Sequence, residues 1–141
     1  MKRCLVDLNV WMALAYEGHS HNDRARSWID AAEVEPTFCR QTQLGLLRLL
    51  TDQRVMKDEV HTSADAWRAY DRIVESGAAF ADEPAGIEMD FRSFTALPLP
   101  APKLWADAYL AAFANASGLA FATFDAAFGN RNHVDDLLVV P

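Results

Sequence analysis

Short apolar runs that end on polar residues alternate along this chain with longer stretches whose apolar positions recur at helical spacing. Cys4-Leu5-Val6, free of Gly and Pro and closed by Asp7, predicts a strand buried on both faces, as in a parallel sheet. Leu119 to Phe124 repeats the design and stops on a second aspartate, Asp125. Between these runs the spacing predicts helices over 10–16 and over 23–32, the latter capped by Asn22, then a strand over 36–39. Thr42 is placed to cap a helix carrying Leu44, Leu46, Leu47 and Leu50. A polar helical stretch stops at Gly77, a short strand covers 78–81, and a helix covers 87–94. The prolines at 98, 100 and 102 force an extended connection before a helix over 103–117 that ends at Gly118. A last strand covers 137–140. Strands alternating with helices predict an α/β sandwich with a mainly parallel central sheet, over a single domain 1–141.

Composition narrows this picture in a few places. A hydrophobic fraction of 51% with 23% charged residues suits a folded domain with a sizeable core. No apolar run reaches the roughly 20 residues that span a bilayer, and Asp7 interrupts the only apolar segment near the N-terminus. A cytoplasmic protein without membrane contact is expected. Cys4 and Cys39 both fall in predicted strands and read as free, buried thiols. The net charge of −7 argues against long-range attraction to nucleic acid or acidic membranes. It leaves open a nucleic-acid substrate held through local basic groups or a metal ion.

The candidate chemistry lies in carboxylates. In a parallel α/β sheet the C-terminal ends of the strands carry the ligand sites, so Asp7 and Asp125 would meet if their strands are neighbours. Asp107 is the only charged residue in the helical stretch 104–113, with Leu104, Ala108, Ala111 and Ala112 on one face beside it. Buried and unpaired it would be costly, so it calls for a partner or a cleft; a helix Asp facing water is the alternative. Unit charges about 4 Å apart repel by about 4 kcal/mol at an effective dielectric near 20, so three converging carboxylates need protons or a cation. Oxygen ligands alone favour Mg2+ or Mn2+ over zinc. A carboxylate-held ion of that kind points to phosphodiester hydrolysis.

Leu-Val-Asp7-Leu-Asn-Val-Trp, Thr42-Gln43-Leu44 with Arg48, Asp107-Ala108 and Thr123-Phe124-Asp125 together resemble the PIN domain, specifically the VapC toxins of type II toxin–antitoxin systems. The resemblance covers essentially the whole chain. It implies a PIN-like three-layer sandwich and a Mg2+- or Mn2+-dependent endoribonuclease acting on structured RNA such as transfer RNA. It also implies inhibition by a cognate VapB-type antitoxin, and a homodimer. By it, Asp7, Asp107 and Asp125 match the acidic metal-site positions, and Thr123 matches a supporting hydroxyl. Two positions depart from the pattern: the usual second acid falls on Gly45, and a further acid falls on Ala127. One metal ion is therefore expected rather than two.

Other residues carry weaker signals. Asn9 can bond Asp7 or cap the following helix, Gln43 can offer an amide oxygen, and Arg48 can pair with a site carboxylate or snorkel to the surface. His19 and His21 share a polar loop and lack partners at zinc-ligand spacing. Apolar residues on the helices around 23–32 and 42–50 would offer a groove for an antitoxin helix. Two other readings compete. One is a phosphatase of haloacid-dehalogenase type with Asp7 as nucleophile, against which Asn9 stands where a proton donor is needed. The other is a protein that binds RNA or antitoxin without cutting.

Overall fold

Alternate residues of the first strand go to opposite faces of the sheet, and this alternation builds two cores. In the computed structural model, which describes residues 1–141, β1 (Lys2–Val6) sends Cys4 and Val6 to one face and Leu5 to the other. β4 (Ala120–Thr123) does the same with Ala120 and Ala122 against Phe121. The first face is covered by α1 (Leu8–Ala15), α3 (Arg40–Leu50) and α5 (Ser63–Glu75) through Trp11, Leu46, Leu50 and Tyr70. The second is covered by α6 (Ile87–Thr95), α7 (Trp105–Ser117) and α8 (Phe128–Arg131) through Ile87, Phe113 and Phe128. Between them the chain also forms α2 (Asn22–Ala31), β2 (Val34–Phe38), α4 (Gln53–Met56) and a single 3-10 turn (Lys57–Glu59). With β3 (Ala79–Phe80) and β5 (Leu137–Val139) the strands form one five-stranded sheet, ordered β3-β2-β1-β4-β5 and parallel throughout. This is the α/β sandwich the alternation predicts.

Local differences from the sequence reading have physical causes. Cys39 is not in a strand: it follows β2 and N-caps α3, which starts before Thr42. Thr42 still serves the cap, from inside the helix, because its Oγ1 accepts the Cys39 N–H at 3.0 Å. Asn22 begins α2 rather than capping it, and its Nδ2 donates to the Ala13 and Tyr16 carbonyls at 2.8 and 3.1 Å. It thereby satisfies carbonyls that the end of α1 would otherwise leave open. Both cysteines are free and buried, and burial pushes the Cys4 thiol up to about 12. Gly118 ends α7 in the left-handed region, φ +67°, where a side chain would be strained. No helix is long and apolar enough to cross a membrane.

Candidate active site

β1 lies in the middle of the sheet, with β2 on one side and β4 on the other. The chain leaves β1 towards β2 and β3 and later crosses back to β4, so the strand order reverses between β1 and β4. Loops diverge at such a point and leave a crevice at the C-terminal strand edge. In register, Val6 lies beside Ala122, which brings Asp7 alongside Thr123, and the Asp7 N–H donates to the Ala122 carbonyl at 2.8 Å.

Thr123 is the hub of this crevice. Fully buried, its hydroxyl donates to Asp7 Oδ2 at 2.7 Å and accepts the Asp125 N–H at 3.1 Å and, at 3.4 Å, Asn9 Nδ2. A hydroxyl has one proton and two lone pairs, and all three are in use. Asp7 also N-caps α1, with Oδ1 accepting the Leu8 N–H at 2.8 Å. Burial is the main influence on Asp7 and raises its pKa; the bonds from Thr123 and Leu8 oppose this, and the charges of Asp107 and Asp125 add to it. Asn9 therefore acts through Thr123 rather than on Asp7 directly.

Asp107, in the first turn of α7, is half-buried and has no hydrogen-bond or ion-pair partner. Its pKa is raised, first by burial and further by Asp125, against a lowering influence from Arg131. Asp125 is held on both sides: Oδ1 accepts the Ala127 N–H at 3.0 Å, and Oδ2 pairs with Arg131. The three aspartates thus feel one another's charge at one edge. No three acidic, His or Cys side chains stand close enough to hold an ion as they are, and Asp125 is paired with Arg131. As a donor set, three carboxylates without nitrogen or sulfur fit a hard divalent cation, and their mutual repulsion is what such an ion relieves.

The remaining candidates divide. Gln43 is buried in the first turn of α3, at the same sheet edge, but its Oε1 accepts from Arg40 Nη1 at 2.6 Å. Arg40 in turn lies over the Phe80 ring, 4.7 Å from its centre. Arg48 does not join the acids: it is exposed in the last turn of α3, where its charge acts on Asp52. Eight residues of helix carry it roughly 12 Å down the axis from the edge. At Gly45 a Cβ would come within 2.7 Å of Leu8 Cδ2, the end of a side chain that can shift. The α1–α2 loop borders the crevice, with the His21 ring 5.5 Å from that of Phe124. An apolar cavity of about 570 Å3 opens at a distance from the acids, lined by Trp11, Leu14, Ile29, Ala69 and Ile73. It lies between α2 and α5, with Arg26, Asp30 and Arg72 also in its lining; of the α3 leucines, Leu46 and Leu50 are in the core and Leu44 is exposed. Sequence reasoning missed Arg131, which sits on a four-residue helix too short to give a periodic signal.

The sequence profile of the PIN domain matches residues 4–133. Ribonuclease VapC41 of Mycobacterium tuberculosis is 44% identical over 135 residues, covering 88% of this chain and 90% of that protein. Among solved structures, Mycobacterium tuberculosis VapC20, a toxin that cleaves the sarcin–ricin loop, superposes with a TM-score of 0.67 at 17% identity, over 90% of this chain and 93% of that one. A chain of VapBC2 from Rickettsia felis, solved bound to a DNA fragment from their promoter, superposes with a TM-score of 0.63 at 11% identity, over 99% of both chains.

Proposed function

This chain belongs to the PIN-domain family, as a VapC ribonuclease of the toxin–antitoxin type, and on that premise we propose that Asp7, Asp107 and Asp125 form its catalytic centre and hold Mg2+, or Mn2+ in its place. The observation that carries this is the Thr123 hydroxyl, which fixes Asp7 and the Asp125 backbone to one atom at the sheet edge. Such an ion, when bound, supplies positive charge to a phosphate and lowers the pKa of water. The chain's own residues do the rest. Asp7 is held rigid from both oxygens by neutral donors. Asp107, with no internal hydrogen-bond or ion-pair partner, has its carboxylate open to the ion. In the overall hydrolysis the water oxygen bonds to phosphorus, the sugar oxygen departs, and that oxygen leaves carrying a proton. Asn9 and Thr123 position Asp7, and Gln43 with Arg40 lies on the α3 side of the same edge.

The test is cleavage of total and transfer RNA by purified protein with Mg2+, with Mn2+ and with EDTA, beside Asp7→Asn. Discrete products that need the ion and vanish in the variant are expected. Metal-independent cutting, or cutting by the variant, would overturn the assignment. Structured RNA in the cytoplasm is the substrate class this reading names.

A cognate VapB-type antitoxin is the proposed protein partner, seated by an apolar segment in the cavity between α2 and α5. Ile73→Asp should weaken its co-purification and leave RNA cleavage intact. Exposed Leu97, Leu99 and Trp105 near α6 and α7 support a homodimer through that face, which sedimentation velocity would test.

A further inference from the structure

Asp7 is held by neutral donors, Asp107 by none, and Asp125 by a full positive charge. That charge, Arg131, is presented by a well-anchored piece of backbone. Phe128, at the start of α8, is buried with its ring 4.6 Å from that of Phe121. The helix is closed by Asn132, whose Nδ2 donates to the Phe128 carbonyl at 3.2 Å. Arg131 also reaches Asp107 electrostatically, so one guanidinium serves two of the three acids, and no other Lys or Arg forms an ion pair with any of them.

We propose that Arg131 is the internal counter-ion of the acidic centre, holding Asp125 in the metal-free protein and exchanging it for the divalent cation, so that it sets the protein's metal affinity. This rests on the assignment of Asp107 and Asp125 as metal ligands. The pair is suited to exchange. Its side chains are 55% and 36% exposed, so water screens the attraction and can take over the freed guanidinium at little cost. A divalent ion brings twice the charge to the same oxygens, and the long side chain can swing out without disturbing the anchored backbone. The metal-free protein is in this way already neutralised at Asp125, and an ion must compete for a site that is otherwise open.

The experiment is calorimetric titration of Mn2+ into the wild type, Arg131→Gln, Arg131→Lys and Asp107→Asn, without RNA, with folding followed by circular dichroism. Arg131→Gln should bind Mn2+ more tightly, on the order of tenfold, because the competing charge is gone. Arg131→Lys keeps the charge and should stay within about threefold of the wild type. Asp107→Asn should bind more weakly. Unchanged or weaker binding in Arg131→Gln, with Asp107→Asn still impaired, would overturn the counter-ion role alone. Mn2+ binding that ignores Asp107→Asn would overturn the metal site itself.

Discussion

Thr123→Val removes a single hydroxyl from the core and leaves the shape of the side chain almost unchanged. Its cost follows from three bonds. The one donated to Asp7 Oδ2, at 2.7 Å, ends on a carboxylate, and bonds of that kind contribute about 1.5–3 kcal/mol. The Asp125 N–H, bonded at 3.1 Å, would lose its acceptor and cost about 1 kcal/mol, the low end because Asp125 is only half-buried. The Asn9 bond is long, at 3.4 Å, and Asn9 is exposed enough to turn to water, so it adds little. The sum is about 2–4 kcal/mol, or a fall in melting temperature of roughly 5–15 °C. Urea denaturation in EDTA measures it. Thr123→Ser keeps the hydroxyl and should lose only about 1 kcal/mol, the value of a buried methyl. Cleavage at saturating metal should fall by about 10- to 100-fold in the valine variant, as it does when the support of a metal ligand is removed. A Thr123→Val protein that loses less than about 1 kcal/mol and cuts RNA at the wild-type rate would refute the hub.

Two further outcomes follow from the site and its frame. Asp7 and Asp107 both have raised folded pKa values, so the native state holds their protons longer than the unfolded chain does. Their contribution is therefore greatest below the unfolded carboxylate value of about 3.9 and is lost as pH rises through the raised values. In EDTA, Asp107→Asn should gain on the wild type as pH rises from about 4 to 7, and excess Mn2+ should reverse the order. Melting curves across pH would show it, and a difference flat in pH would count against the crowding of charge. Gly118→Ala, at φ +67°, should cost about 1 kcal/mol in denaturation while cleavage per folded molecule stays unchanged.

Much of this was legible in the sequence because burial on both faces leaves a plain mark. The buried stretches Cys4–Val6 of β1 and Ala120–Ala122 of β4 are apolar and run into polar residues, so Asp7, Thr123 and Asp125 could be placed at strand ends before any coordinates. Asp107 stood out as the lone charge in an apolar helix. What stayed hidden depends on distance across the fold. Nothing in the local pattern tells that Thr123 rather than Asn9 touches Asp7, since that bond joins residues 116 apart. Arg48 was misplaced because helical position fixes a face, not the distance from the sheet edge. Arg131 was missed because α8 is a single turn. Periodicity also does not say which α3 leucines the core has claimed: Leu46 and Leu50 are buried in it while Leu44 is exposed.

The reversal of strand order around β1 has a bearing on when this protein becomes dangerous to the cell that makes it. Asp7 is synthesised well before the hydroxyl that holds it, which belongs to β4, 116 residues further along the chain. A growing polypeptide can pair β1 with β2 and pack α1 against α3 while the other flank of β1 is still bare. During that interval Asp7 has no Thr123 beneath it and Asp125 does not yet exist. Long-range pairing of this kind is the slow step of such topologies, because a large loop must close before any contact rewards it. On the proposed assignment of Asp7 and Asp125, the centre is completed in one late event, when β4 joins β1. An inhibitor has only to be waiting at the moment of release.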